Sequence, residues 1–301
     1  RQAVILDVKA AYYNLLKTQK LLQVYEEAVH LANEQVDRAQ TMMEIGLSSQ
    51  AEVYQARVNY GANKRQAITQ KNIVAMARAN LNTKLGIDPG TPIEIQDISQ
   101  VPGFIEYDFD QAVATAFANN PQIKALDLSL KASLYNLRAA KARYMPSVGA
   151  SISYSRSNDN PTRVYTTNLD EDYTIAMGIG LDLNIFNGLS DKAEVQRQTL
   201  QYEMDMENLV EQKRLLISEV KQYFLELNAF KDILNILNEN IQAAKENLRL
   251  QEEKRRVGSG TELDVTDAQV ELTRAQSDYV NAEYDAHIVK AQLETVMGII
   301  K

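Results

Sequence analysis

Cysteine and tryptophan are absent from this 301-residue chain. The lack of cysteine excludes disulfides and thiol chemistry and is compatible with any compartment. Glycine (12) and proline (6) are scarce, and neither occurs between Leu189 and Val257. One helix over that stretch would reach roughly 100 Å, where a mean globular helix has about 11–12 residues. Length alone suggests about two ordinary domains, but few helix breakers with 45% hydrophobic residues point to a long-helix protein. No run of about 18 apolar residues exists, so no transmembrane helix is predicted. The net charge of −8 argues against a nucleic-acid partner and for a solvated surface or a cation-favouring path. Only two histidines occur, His30 and His287, each on a helical stretch without ligand spacing. With no P-loop and no G-x-G-x-x-G, neither an enzyme, a metal site nor a cofactor is expected.

What is present is a repeat. A shift of 212 positions carries Gly46 onto Gly258, Val53 onto Val265, Ala56 onto Ala268, Leu81 onto Leu293 and Gly86-Ile87 onto Gly298-Ile299. Each copy reads as a helical hairpin turning on its first glycine. In the first, Val8, Leu15, Leu22, Val29, Val36 and Met43 recur every seven residues, with Ala11, Thr18, Tyr25, Ala32 and Ala39 three places later. The second has Val220, Leu227, Leu234, Ile241 and Leu248, answered on its return helix by Val265, Leu272, Tyr279, Ala286 and Leu293. These are a/d seams of coiled-coil type, rich enough in alanine for close backbone approach.

Residues 87–107 read as a linker, with Asp88-Pro89-Gly90 and Val101-Pro102-Gly103 as turns. Asp108 is placed to cap a short helix to about Ala118, and Asn120-Pro121 to start another that ends before Pro146. Then the period falls to 2. Val148, Ala150, Ile152 and Tyr154 alternate with small polar residues. After a polar stretch, Arg156 to Asp172, a strand from Tyr173 to Ile185 alternates Ile175, Met177, Ile179, Leu181 and Leu183 with Thr, Ala, Gly and Asp. About 9–11 residues suffice for a tilted strand to cross a bilayer, and this alternation is the mark of an outer-membrane barrel strand. An amphipathic hairpin on a soluble core is the alternative from periodicity alone; the long helices on either side leave no such core. One hairpin leaves edges unpaired in lipid, so the barrel has to be shared among subunits. Arg1 precedes a heptad already under way, so the chain is expected to start inside a larger protein. By the repeat, roughly 100 residues with a second strand pair precede it.

Ile45-Gly46-Leu47 with Ala51-Glu52-Val53 and Ala56-Arg57, Val257-Gly258-Ser259-Gly260-Thr261 with Leu263-Asp264-Val265 and Asp267-Ala268, Asn120-Pro121, and Met145-Pro146-Ser147-Val148 together resemble the TolC family of outer-membrane efflux and secretion channels. The resemblance covers essentially the whole chain. It implies a mainly α fold with a small membrane β part: duplicated antiparallel coiled-coil hairpins forming an α-barrel tunnel, and a transmembrane β-barrel shared within a homotrimer. It implies an outer-membrane location in a Gram-negative bacterium, extension into the periplasm, a periplasmic membrane-fusion adaptor, and an inner-membrane pump of the RND, ABC or MFS class. On this reading residues 1–86 and 189–301 are the tunnel hairpins, with tips at 46–50 and 258–262. Residues 87–120 form an equatorial segment, 121–145 a tunnel helix, and 146–188 the membrane hairpin, its Ile175, Met177, Ile179, Leu181 and Leu183 facing lipid. Gly46, Leu47, Ser48, Gly258, Ser259, Gly260 and Thr261 then carry adaptor docking. Asp264 and Asp267 become acidic rings at the tunnel mouth, and Glu52 holds the tips shut. Where the family often has a basic residue at Gly260 or its neighbours, this chain has Arg255 and Arg256 before the turn. Without the resemblance, Asp264 reads as a cap or ornament of a solvated helix start, and the glycines as turns only. A soluble coiled-coil scaffold or periplasmic adaptor is the alternative of another class; a pore-forming toxin is a third that the internal repeat disfavours.

Overall fold

The computed structural model describes residues 1–96, 108–157, 159, 160, 162 and 173–300; the expected turn at 101–103 and most of the polar stretch after Arg156 lie outside them. Among the described residues six helices and two strands follow in order: α1 (Gln2–Glu44), α2 (Gln50–Leu85), α3 (Phe109–Asn119), α4 (Pro121–Ala142), β1 (Ser147–Arg156), β2 (Tyr173–Asp182), α5 (Ser190–Arg256) and α6 (Glu262–Val296). α5 has 67 residues, as its lack of glycine and proline predicts. Among the described residues no helix is long and apolar enough to cross a membrane. The chain divides into two compact units, Arg1–Pro121 with Arg214–Lys301, and Gln122–Lys213.

In the first unit the heptads become seams. Ala11 and Leu15 pack on Val74, Ala77 and Leu81, and Ala39 on Val53 and Ala56. Across the second hairpin, Ala244 and Leu248 meet Val265, Ala268 and Leu272. α1 is buried more widely than one seam requires, since Leu21, Ala28 and Gln35 are buried as well. The reason is a second neighbour: Lys17 reaches Asp285 at 2.9 Å and Tyr13 stacks on His287, both on α6. Met43, assigned to the seam by spacing, is instead exposed where the helix runs into its turn.

The four helix ends that stop on glycine are duplicated down to their hydrogen bonds. Leu47 N donates to Met42 O and Gly46 N to Met43 O; the counterparts are Ser259 N to Lys254 O and Gly258 N to Arg255 O. The return helices end the same way, Ile87 N to Asn82 O and Ile299 N to Glu294 O. This is the Schellman pattern, which satisfies the last carbonyls of a helix by placing a residue at positive φ.

The second unit contains a two-stranded antiparallel ribbon, β1 with β2. Ala150 faces Ile179, Ile152 faces Met177, Tyr154 faces Ile175 and Val148 faces Leu181, so one side is apolar. Opposite it, Gly149, Ser151 and Ser153 face Gly180, Gly178 and Ala176. The strand was expected to run to Ile185 and stops at Asp182, paired with Ser147. Pro146 follows on the partner and has no N–H to extend the ladder, so Leu183 lies beyond the strand. Ten residues remain. The apolar side is uncovered: Ile179 is 85% exposed and Met177 76%.

Gly86 and Gly298 share a backbone conformation, φ +74° and +73°, but not surroundings. A Cβ on Gly86 would meet nothing within 4 Å, whereas one on Gly298 would lie 2.6 Å from the carbonyl carbon of Asn119. Gly86→Ala is therefore expected to cost about 1–2 kcal/mol for the left-handed backbone alone, and Gly298→Ala clearly more. Denaturant unfolding of the two variants measures the difference; equal losses would contradict the close approach at Asn119.

Candidate functional site at the helical turns

Each return helix starts on a hydroxyl cap three residues before an acid, and the two copies use that acid differently. Ser49 Oγ accepts from Glu52 N at 3.3 Å, and its repeat counterpart Thr261 accepts from Asp264 N at 3.2 Å. Asp264 closes the box, its Oδ2 taking Thr261 N at 2.9 Å and Thr261 Oγ1 at 2.7 Å. The hydroxyl and backbone bonds from Thr261 hold the Asp264 carboxyl below its usual range. Glu52, one methylene longer, instead accepts from Ser48 Oγ at 2.8 Å and leaves its own hairpin. Arg255 Nη2, at the end of α5, donates to Glu52 Oε2 at 2.9 Å. Glu52, expected to hold the tips shut, is thus paired with one of the two arginines before the second turn.

Arg255 is shared. Its Nε lies 3.5 Å from Glu262 Oε2, with the Glu262 side chain only 12% exposed. Burial pushes the Glu262 carboxyl up, while Arg255 pulls it down without cancelling the burial. A second, looser ion pair between the hairpins, Arg38 to Glu252 at 3.8 Å, joins α1 to α5. Between these pairs lies a cleft of about 420 Å³, lined by Gln35, Ala39, Met42, Glu262 and Val265 among others. Gln35 is 2% exposed, and neither polar atom of its side chain has a partner among the described residues.

The remaining residues of the expected site fall as follows. Gly46 and Gly258 hold positive φ, +79° and +77°. Leu47 projects into solvent at 69% exposure. Gly260 N donates to Lys254 O, and Ser259 Oγ reaches the same carbonyl at 3.2 Å. A Cβ on Gly260 would sit 3.1 Å from Lys254 Cβ, so this turn is built tight against α5. Asp267 is exposed one helical turn beyond Asp264. Glu262, Gln35 and the Arg38–Glu252 pair carry no clear signal in the sequence. Glu262 reads locally as an acid in a first helical turn, and its burial comes from helices distant in sequence. The spaced pattern of Leu21, Ala28 and Gln35 was the one available signal for the second buried face.

The chain is 25% identical to the outer membrane efflux protein BepC of Brucella suis over 307 residues, covering 99% of this chain and 63% of that protein. It is 21% identical to the outer membrane protein TolC of Vibrio cholerae over 301 residues, covering 68% of it. The chain thus spans less than two thirds of the length of BepC and 68% of that of TolC. Among solved structures, the outer membrane protein VceC of Vibrio cholerae shares the fold with a TM-score of 0.83 at 17% identity, over 99% of this chain and 70% of that one. A family model described as outer membrane efflux protein matches residues 112–299. With well over half its length matched, the chain belongs to the outer membrane efflux protein family, whose members are outer-membrane channels and not enzymes.

Proposed function

We propose that this chain is one subunit of a homotrimeric exit duct of a tripartite efflux or type I secretion system. On this reading three copies close a transmembrane barrel from their ribbons and a periplasmic tunnel from their helical hairpins. A membrane-fusion adaptor docks on the turns at Gly46–Ser48 and Gly258–Thr261, and an inner-membrane pump of the RND, ABC or MFS class supplies the energy. Family membership supports the class of function. The observation that carries the duct is the ribbon, whose apolar side is left exposed over the length a bilayer needs. Its two outer edges have backbone groups that lipid cannot satisfy, which favours closure with strands of other copies. The stacked Tyr154 and Tyr173 at one end of the apolar side suit the aromatic girdle of such a barrel.

The gate on this reading is a parting of the two turns. Arg255 and Glu52 hold them together, and docking must break that pair. Asp264 and Asp267 line the mouth as threefold rings of carboxylates, which attract cations. The two rings carry unequal shares. Asp264 spends one oxygen on its capping box, whereas Asp267 makes no hydrogen bond or ion pair among the described residues and is free to take cations.

Two experiments on the full-length protein test these assignments. Ile179→Arg places a charge on the lipid side, where it costs about 2–4 kcal/mol near the midplane, and is expected to abolish outer-membrane insertion. Ser153→Arg, on the opposite side, should insert. Equal insertion of both would remove the barrel from the account. In planar bilayers, cation block of single-channel current should weaken more in Asp267→Ala than in Asp264→Ala and vanish in the double variant; unchanged block in the double variant would refute the acidic mouth.

A further inference from the structure

The pairing of Arg255 with Glu52 does not exhaust Arg255. The guanidinium is three-quarters buried and lies between two carboxylates on different helices, Glu52 on α2 at 2.9 Å and Glu262 on α6 at 3.5 Å. The two acids are unequal. Glu52 has a second donor in Ser48 Oγ and sits half exposed. Glu262 is the more deeply buried, and its Oε1 has no hydrogen-bond partner among the described residues. It faces the cleft also lined by the buried, unpartnered amide of Gln35. A buried carboxylate with one oxygen unbonded and a shared counter-ion is a costly place for charge.

We propose that Glu262 is a positioning residue of the clasp: it competes with Glu52 for Arg255, so that a proton taken up by Glu262 yields the guanidinium to Glu52 and tightens the joined turns. This rests on the reading that the Glu52–Arg255 pair holds the turns closed. Of the other charges around this region, Arg38 and Glu52 also act on the Glu262 carboxyl, the first lowering and the second raising it, each less than burial does. On α1, Arg38 pairs with Glu34 and Glu252. On α5, Arg249 is held by Glu246 and Glu253, and Arg256 is exposed. On α2 the acid is Glu52 itself, and on α6 Asp264 is turned back onto Thr261.

The sign follows from burial. α1 supplies Gln35, Arg38 and Met42 to the cleft, so parting the hairpins exposes Glu262 to water while leaving Arg255 on its own hairpin. The carboxyl is raised in the joined state, chiefly by burial, and returns toward its ordinary value when parted. The joined state therefore binds the proton more tightly. Its advantage is full below the ordinary carboxylate range and is lost as pH rises through the raised value, by a factor approaching tenfold for each unit of separation.

The test is single-channel recording of the full-length protein in planar bilayers from neutral pH down to the ordinary carboxylate range, on wild type, Glu262→Gln, Glu262→Asp and Glu52→Gln. The wild-type open fraction is expected to fall on acidification. Glu262→Gln, which is neutral throughout, should stay at the low acidic level across the range, and Glu262→Asp should restore a pH-dependent profile. Glu52→Gln should be open at every pH. A wild-type pH profile surviving in Glu262→Gln would overturn the role of Glu262, provided Glu52→Gln opens. If Glu52→Gln fails to open, the clasp itself is wrong, a different failure from the first.

Discussion

One guanidinium joins two helical hairpins at their turns, and the proposed gate depends on it. Arg255 stands at the end of α5, where a positive charge is favoured by the helix dipole, and it reaches a carboxylate 203 positions away. The pair is only partly buried, with 23% and 42% of the two side chains exposed. Exposed pairs contribute about 0–1 kcal/mol, and partial burial moves this one toward the upper part of that range. A lock of that strength suits a gate. In the proposed trimer, threefold repetition of the pair would hold the turns together, and docking of a partner over an ordinary interface would exceed it. A fully desolvated pair, in which removing one partner costs about 3–5 kcal/mol, would be hard to open without chemistry, and this family performs none.

The repeat shows why the pair between hairpins forms at one turn and not the other. Glu52 and Asp264 occupy the same place in the two copies, three residues after Ser49 and Thr261. Aspartate is short enough to fold back on its own cap. Glutamate overshoots the cap, finds Ser48, and projects toward Arg255. A single methylene separates a residue that stabilises its own helix start from one that couples two hairpins. The Schellman ends before both turns, identical in their hydrogen bonds, keep the two turns in matching geometry while their side chains diverge.

Much of this was legible in the chain itself. Heptad spacing located Ala11, Leu15, Ala39, Val265 and Leu272 at the seams, and the duplicated glycines located both turns. Two-residue alternation found the apolar side of the ribbon. Failures came wherever a third partner decides. Leu21, Ala28 and Gln35 are buried because α1 has two neighbours, which a single-seam heptad does not encode. β2 stops at Asp182 because of a proline on the other strand. Glu262 lies in an ordinary first turn, and only the helices packed over it make its charge costly. Its partner Arg255 could be named as an unusual basic residue, but not paired, since nothing local links positions 52 and 255.

Charge reversal tests the clasp most directly. Glu52→Arg and Arg255→Glu each set like charges against one another, and each is expected to raise the conductance of the channel in planar bilayers. Combined in one chain they restore an opposite pair with its polarity exchanged, and conductance should return toward the wild-type value. If the double variant conducts as freely as either single one, Arg255 and Glu52 do not hold the turns together.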